Sequence, residues 1–194
     1  MGSDCHRLVA ESLREEQMYL CCYCESEVAP GTSHVEHMAP RSGEPARMYE
    51  YSNLAASCNG GTAEHCGHFK DSRHKNPGFF YDPTKFCPPH DPTTERLIGY
   101  LFDGSVEPAS GLHLSDREKA TYMIGYIGLD CPRLTGRRRQ QARAIVSVLG
   151  GDPDDDLVQW ARNYYLNSDS EERMRPFPSL SKALLSHEWL GRRR

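Results

Sequence analysis

The stretch CNGGTAEHCGHFK, residues 58–70, places two cysteines, two histidines and a lysine within one short segment. Its reading depends on CCYC, residues 21–24, upstream. Cys21 and Cys24 form a C-x-x-C pair, and Cys58 and Cys66 a wider second pair. Two cysteine pairs on separate local turns are what a tetrahedral zinc ion needs, since the metal ties the turns together. Thiolates are soft ligands and favour zinc over magnesium, and four of them fill the coordination sphere, so this metal is structural. Rivals remain: His65 in place of a thiolate, Cys87 and His90 (C-x-x-H) in place of a pair, or four small buried thiols without metal. A redox protein using Cys21 and Cys24 is a further alternative, and it predicts no bound zinc.

The 194 residues suffice for one sizeable core, and the segment 21–76 is poor in helical periodicity and rich in Gly, Ser and Asn. Such a segment buries little apolar surface and needs a staple, which strengthens the zinc reading. The net charge of −4 gives no overall field drawing the chain to nucleic acid, so any attraction must come from local patches or a partner. Arg137-Arg138-Arg139 and Arg192-Arg193-Arg194 are the candidate patches, with solvated surface arginines as the plainer reading. No apolar run reaches membrane-spanning length and the polar N-terminus has no signal-peptide core, so the expected location is the cytoplasm, without a membrane partner.

The pattern predicts a short helix over 4–20 carrying Val9, Leu13 and Leu20 on one face. A strand follows in SHVEHMAP, with His34 and Glu36 on one side, Val35 and His37 on the other, and Pro40 ending it. Alternation around Asp103-Gly104 predicts a β-hairpin. Ser115 and Glu118 stand in capping-box spacing before a helical face of Ala120, Met123, Ile124 and Ile127. Further helices are expected over about 135–149, around Leu157, Ala161 and Tyr164 or Tyr165, and near the C-terminus. The organisation is an N-terminal helix (1–20), a zinc-braced core (21–76), and a linker, hairpin and helical region (77–194), forming one compact domain.

The series Cys21-x-x-Cys24, Glu36-His37-x-x-Pro40, Asn53-Leu54, Cys58, Cys66 and Lys70 resembles the HNH nucleases. In its details it looks like the PtuB-like HNH subunit of Septu-type phage defence, which also serves in some retrons. The resemblance covers roughly residues 17–140. It implies an α+β fold: a zinc-braced ββα-metal finger within a mainly α-helical domain with a β-hairpin. It also implies metal-dependent phosphodiester hydrolysis, DNA favoured and RNA the alternative, together with an ABC/SMC-like, PtuA-like ATPase subunit. Imidazole, with a pKa of about 6.5, suits a base for water near neutrality, and His37 takes that role by resemblance. Asn53 would hold His37 by hydrogen bonding, Glu36 would ligate Mg²⁺ or Mn²⁺, and Lys70 would face a phosphate. His34 is a secondary candidate, with a surface strand position as its plain reading.

One departure stands out. The residue after the last cysteine supplies the final metal ligand in the family, and here it is Gly67. His68 is preferred in its place, with Asp71, or Glu36 and waters alone, as alternatives. A zinc-braced binding module with a decayed site is the reading from another class. Trp160 and Trp189 in the C-terminal helices are candidates for docking the ATPase, with core packing the plainer reading.

Overall fold

In the computed structural model, residues 3–186 are described, apart from 73 and 152. The chain runs through α1 (Ser3–Glu16), β1 (Ser33–His37), β2 (Leu54–Cys58), α2 (Gly60–Ala63), α3 (Cys66–Lys70), β3 (Ile98–Tyr100), β4 (Val106–Pro108), α4 (Leu114–Ile127), α5 (Pro132–Leu149), α6 (Asp155–Leu166) and α7 (Pro178–Leu184). It is an α+β arrangement of helices with two small two-stranded sheets.

α1 buries Leu13 and half-buries Val9, as expected, but it ends at Glu16 rather than near residue 20. Met18 and Tyr19 take positive φ (48° and 62°), which breaks the helix. Leu20 is buried through an extended bridge to Glu27, not on the helix face. The chain then folds tightly: Cys21 N donates to Ser26 O and Glu25 N to Cys21 O, and Glu25 itself adopts φ 58°.

β1 and β2 pair antiparallel, with Glu36 opposite Ala55 and His34 opposite Ser57. A loop holding two 3₁₀ turns joins them. β1, β2, the single turn α2 and the short α3 follow one another in sequence, with Cys58 ending β2 and Cys66 opening α3.

The second sheet is the expected hairpin, β3–β4, turning at Asp103-Gly104. Gly104 has φ +84°, and a Cβ there would lie 2.2 Å from Thr135 O, so this turn needs glycine in both respects. α4 starts one residue before Ser115, with His113 as N-cap and no side-chain cap bond, so the capping box is not formed. Gly128 ends it in the left-handed conformation. α5 begins three residues before the expected Thr135, because Pro132 fits the first helical turn, where no N–H partner is needed. Asp154 caps α6, accepting from Leu157 N at 2.7 Å.

Two apolar clusters form. One gathers Leu13, Val28, Met38, Ala56, Tyr126, Ile127 and Leu134 around the buried cysteines. The other joins α5, α6 and α7 through Ile145, Leu149, Ala161, Leu180 and Leu184. α5 contributes to both.

Each arginine of the α5 run has a partner within the fold, but only Arg138 is buried; Arg137 and Arg139 stay exposed at the surface. Arg138 is buried, its Nε donating to Gly104 O at 2.7 Å and its Nη2 to Leu129 O. Arg139 Nε donates to Asp103 O at 2.8 Å, and Arg137 Nη1 to Ser26 Oγ at 3.0 Å. The second run, Arg192 to Arg194, and Trp189 lie outside the described residues.

Arg138→Met keeps much of the buried volume but strips two carbonyls of their donors. The expected cost is about 2–6 kcal/mol, since each buried unsatisfied acceptor costs about 1–3 kcal/mol. Urea unfolding should show a lower midpoint at unchanged slope.

Candidate active site and metal centres

Cys21 and Cys24 lie on the turn after α1, Cys58 ends β2 and Cys66 opens α3. Their sulfurs lie within 4.8 Å of one another and all four residues are buried. Cys21 Sγ is 3.7 Å from Cys66 Sγ, and Cys24 Sγ is 3.6 Å from Cys58 Sγ. A tetrahedron with metal–sulfur bonds of about 2.3 Å has edges of about 3.8 Å, so the donor set fits zinc. Burial works against the Cys21 thiolate, but hydrogen bonds from the other three thiols and Cys22 hold its pKa well below the usual value. Cys21 pushes the Cys58 thiol up, while Cys24 and Cys66 pull it down, to about 6. Burial pushes Cys66 up, and hydrogen bonding with Cys21 raises Cys24.

A second layer surrounds the sulfurs. Ser26 Oγ lies 3.3 Å from Cys24 Sγ and accepts from Arg137, and Cys58 N donates to Cys21 Sγ at 3.3 Å. His65 is buried with Nδ1 3.1 Å from Cys66 Sγ, a neighbour of the sulfurs rather than a member of the four. Cys87 is only half-buried, with its thiol on Lys85 O, and His90 is exposed, so that rival pair is not part of the cluster.

Beside this cluster, β1 and α3 line an open cleft of about 350 Å³ with His34, Glu36, His37, Arg41, Gly67, His68 and Asp71. Glu36 is almost fully buried. Its Oε1 meets Lys70 Nζ at 3.1 Å and accepts from Tyr23 OH at 3.0 Å, while Oε2 lies 3.3 Å from His34 Nε2. Burial raises the carboxyl's pKa, but the His34 contact and the Lys70 charge hold it below the usual value.

Lys70 departs from the expectation of a phosphate contact. Its side chain is fully covered, and Nζ is taken up by Glu36, by Asp71 Oδ1 at 2.6 Å and by His37 O at 3.2 Å. A lysine buried near an apolar wall must pair its charge, and two carboxylates do this.

Gly67 is where the departure in sequence finds its reason. A Cβ at this position would lie 2.2 Å from Glu36 Oε2 and 2.7 Å from His34 Nε2. The space that a side chain at 67 would take is therefore filled from β1, by His34 and Glu36. His68 does not enter it. Its ring stacks on that of His34, centroids 4.0 Å apart and 10° from parallel, and burial lowers its pKa. Among the described residues, no second set of three metal-donor groups converges as the thiols do.

His37 Nε2 lies 3.1 Å from Met48 O. A carbonyl only accepts, so Nε2 carries the proton and Nδ1 is the lone-pair nitrogen of the neutral ring. Asn53 does not touch this ring, contrary to expectation. It is buried; its Oδ1 accepts from Ala39 N at 2.8 Å and its Nδ2 donates to Ala39 O and Arg47 O at 3.1 and 3.2 Å. It thus fixes the loop whose next carbonyl, Met48 O, holds His37.

No family model matches the chain. The chain is 26% identical over 148 residues to a protein of Vibrio cholerae serotype O1 biovar El Tor, described as a candidate HNH endonuclease of retron Vc95. The alignment covers 74% of this chain and 67% of that protein. The similarity supports the HNH endonuclease reading.

Two outcomes test the site. Metal analysis of purified protein should give one zinc per chain, and Cys24→Ser should lose it together with cooperative unfolding, because binding and folding of such a site are coupled. Asn53→Ala should keep the zinc yet lower stability by about 1–3 kcal/mol, since Ala39 N–H loses its acceptor in a buried place. Chemical denaturation of the zinc-loaded variant measures this.

Proposed function

We propose that the chain is an HNH-type, metal-dependent endonuclease that hydrolyses phosphodiester bonds, with DNA as its first substrate class, acting as a subunit of an anti-phage defence complex. The strand–strand–helix unit is then its ββα-metal finger. The observation that carries the reading is the Glu36-His37 pair at the end of β1. One side chain presents a carboxylate oxygen toward the cleft, and the next is an imidazole whose tautomer a carbonyl has set.

In this reading His37 Nδ1 takes a proton from water, the hydroxide attacks phosphorus, and the bond to the leaving oxygen breaks. Mg²⁺ or Mn²⁺, when bound, neutralises charge on the phosphate and the leaving oxygen. Glu36 Oε2 would hold that cation, with His68 and Asp71 on the same cleft wall. Lys70 and Tyr23 hold the other oxygen and keep the carboxylate ionised and aimed. Asn53 positions the loop behind His37. The decayed-module alternative loses its main support, because Gly67 makes room for donors rather than leaving a gap.

Dependence on an ATPase subunit of the ABC/SMC type fits the charge of the chain. Net charge is −4 and Arg138 of the α5 run is buried, so the chain brings no strong overall positive field to a phosphate backbone, and a partner would add to that affinity. Trp160, exposed and stacked on Tyr164 with Arg175 over that ring, is a docking candidate on α6. The retron relative bears on the defence setting.

Cleavage of plasmid DNA and of structured RNA with Mg²⁺ or Mn²⁺, alone and with the ATPase partner, tests the proposal. His37→Ala should lower the rate by about 10²–10⁴-fold. Wild type that cuts neither polymer with the partner present sinks the nuclease reading.

A further inference from the structure

We propose that His34, from β1, is the imidazole ligand of the divalent cation, and that Asn59 sets its tautomer; this rests on the metal-dependent nuclease reading. Three observations converge on it.

The first is the meeting of donors in front of Gly67. Glu36 Oε2 and His34 Nε2 are 3.3 Å apart, and both crowd the same point, where a Cβ at 67 would sit. That is the side from which a residue following the last cysteine would reach a cation. The donor lost from the helix is replaced by one two residues before Glu36 on the strand, where side chains of positions 34 and 36 share a face.

The second is the far side of the His34 ring. Nδ1 lies 3.2 Å from Asn59 Oδ1. The Asn59 amide cannot be turned over, because its Nδ2 donates to Gly31 O at 3.2 Å. Oδ1 therefore accepts and Nδ1 carries the hydrogen; Nε2 faces a second acceptor, Glu36 Oε2, and a cation binding between these two atoms would take the place of the Nε2 proton. A metal-ligating histidine characteristically gives its other N–H to such an acceptor, which fixes the ring and raises its basicity.

The third is His68. Its ring lies flat on that of His34, and a stacked ring covers its neighbour rather than sharing the neighbour's ligand point. His68 thus shields His34 and is no ligand. The set of Glu36 carboxylate and His34 imidazole, on the rim of an open cleft, suits Mn²⁺ and Mg²⁺ with water at the remaining places.

The test is Mn²⁺ binding to the full-length, zinc-loaded protein, read from the electron paramagnetic resonance signal of free Mn²⁺. Zinc content and circular dichroism report whether each variant is folded. Wild type should bind one Mn²⁺ beyond the structural zinc. His34→Ala should weaken binding at least about 10-fold, and Asn59→Ala about 10-fold, as expected when a ligand's outer partner is removed. Gly67→Ala reaches the same two donor atoms from the opposite side without removing either, and should weaken binding as well. His68→Ala should stay close to wild type.

Wild-type affinity in folded His34→Ala overturns the assignment, and so does a His68→Ala loss as large as that of His34→Ala. Absence of any Mn²⁺ binding to wild type overturns it too. His37→Ala separates the two readings: it should bind Mn²⁺ normally and not cut. A wild type that binds Mn²⁺ through His34 yet cuts no nucleic acid refutes the nuclease reading and leaves the ligand assignment in place.

Discussion

The convergence of four thiols is the constraint on which the rest of this site depends. The segment between α1 and α3 has few large apolar side chains, and three separate pieces of it end in the cluster: the turn after α1, the last residue of β2 and the first residue of α3. Four neutral thiols packed at this spacing would be a poor core. Burial works against charge on these thiols, and each thiolate repels the next, so the four do not readily ionise together. A bound dication would resolve that conflict by stabilising all four as thiolates at once. Because Cys58 and Cys66 bound the turn between strand and helix, the same tie sets Gly67 against Glu36. The thiol cluster thereby fixes the distance across the cleft without taking part in its chemistry.

The carboxylate at the centre of the cleft is unusual in its degree of enclosure. An isolated buried carboxylate would take up a proton. Glu36 stays ionised because one oxygen is held by Lys70 and Tyr23 and the other faces His34. Lys70 in turn would not remain buried without Glu36 and Asp71. Each of these groups holds the others in place, and the arrangement leaves one carboxylate oxygen between His34 and Gly67. Stability and directionality at this point come from the same contacts.

Much of this was legible in the sequence because it follows from spacing. Two cysteine pairs imply a staple, alternation put His34 and Glu36 on one side of a strand, and Asp103-Gly104 marked the hairpin. The apolar faces of α4 to α6 followed from period. What was not legible depends on what a charged or polar side chain meets in three dimensions. A lysine after a histidine on a helix looks like a phosphate contact, and only packing under α4 shows it enclosed, near Tyr126. Three arginines in a row read alike, and only the fold shows the middle one, Arg138, buried on the Gly104 and Leu129 carbonyls while its neighbours stay exposed. Asn53 braces a loop and not the His37 ring, and an amide doing either reads identically in one dimension. Ser115 caps nothing, since α4 starts one residue earlier, at the exposed Leu114.

Gly67 has one more implication, and it concerns descent. A side chain at 67 and an imidazole at 34 cannot occupy the same space while Glu36 is held where it is. A lineage can move between the two arrangements only by exchanging both positions, or by passing through a form with a single donor beside the carboxylate. The pair 34 and 67 should therefore behave as one character among relatives: histidine with glycine, or a ligating residue at 67 with something smaller or non-coordinating at 34.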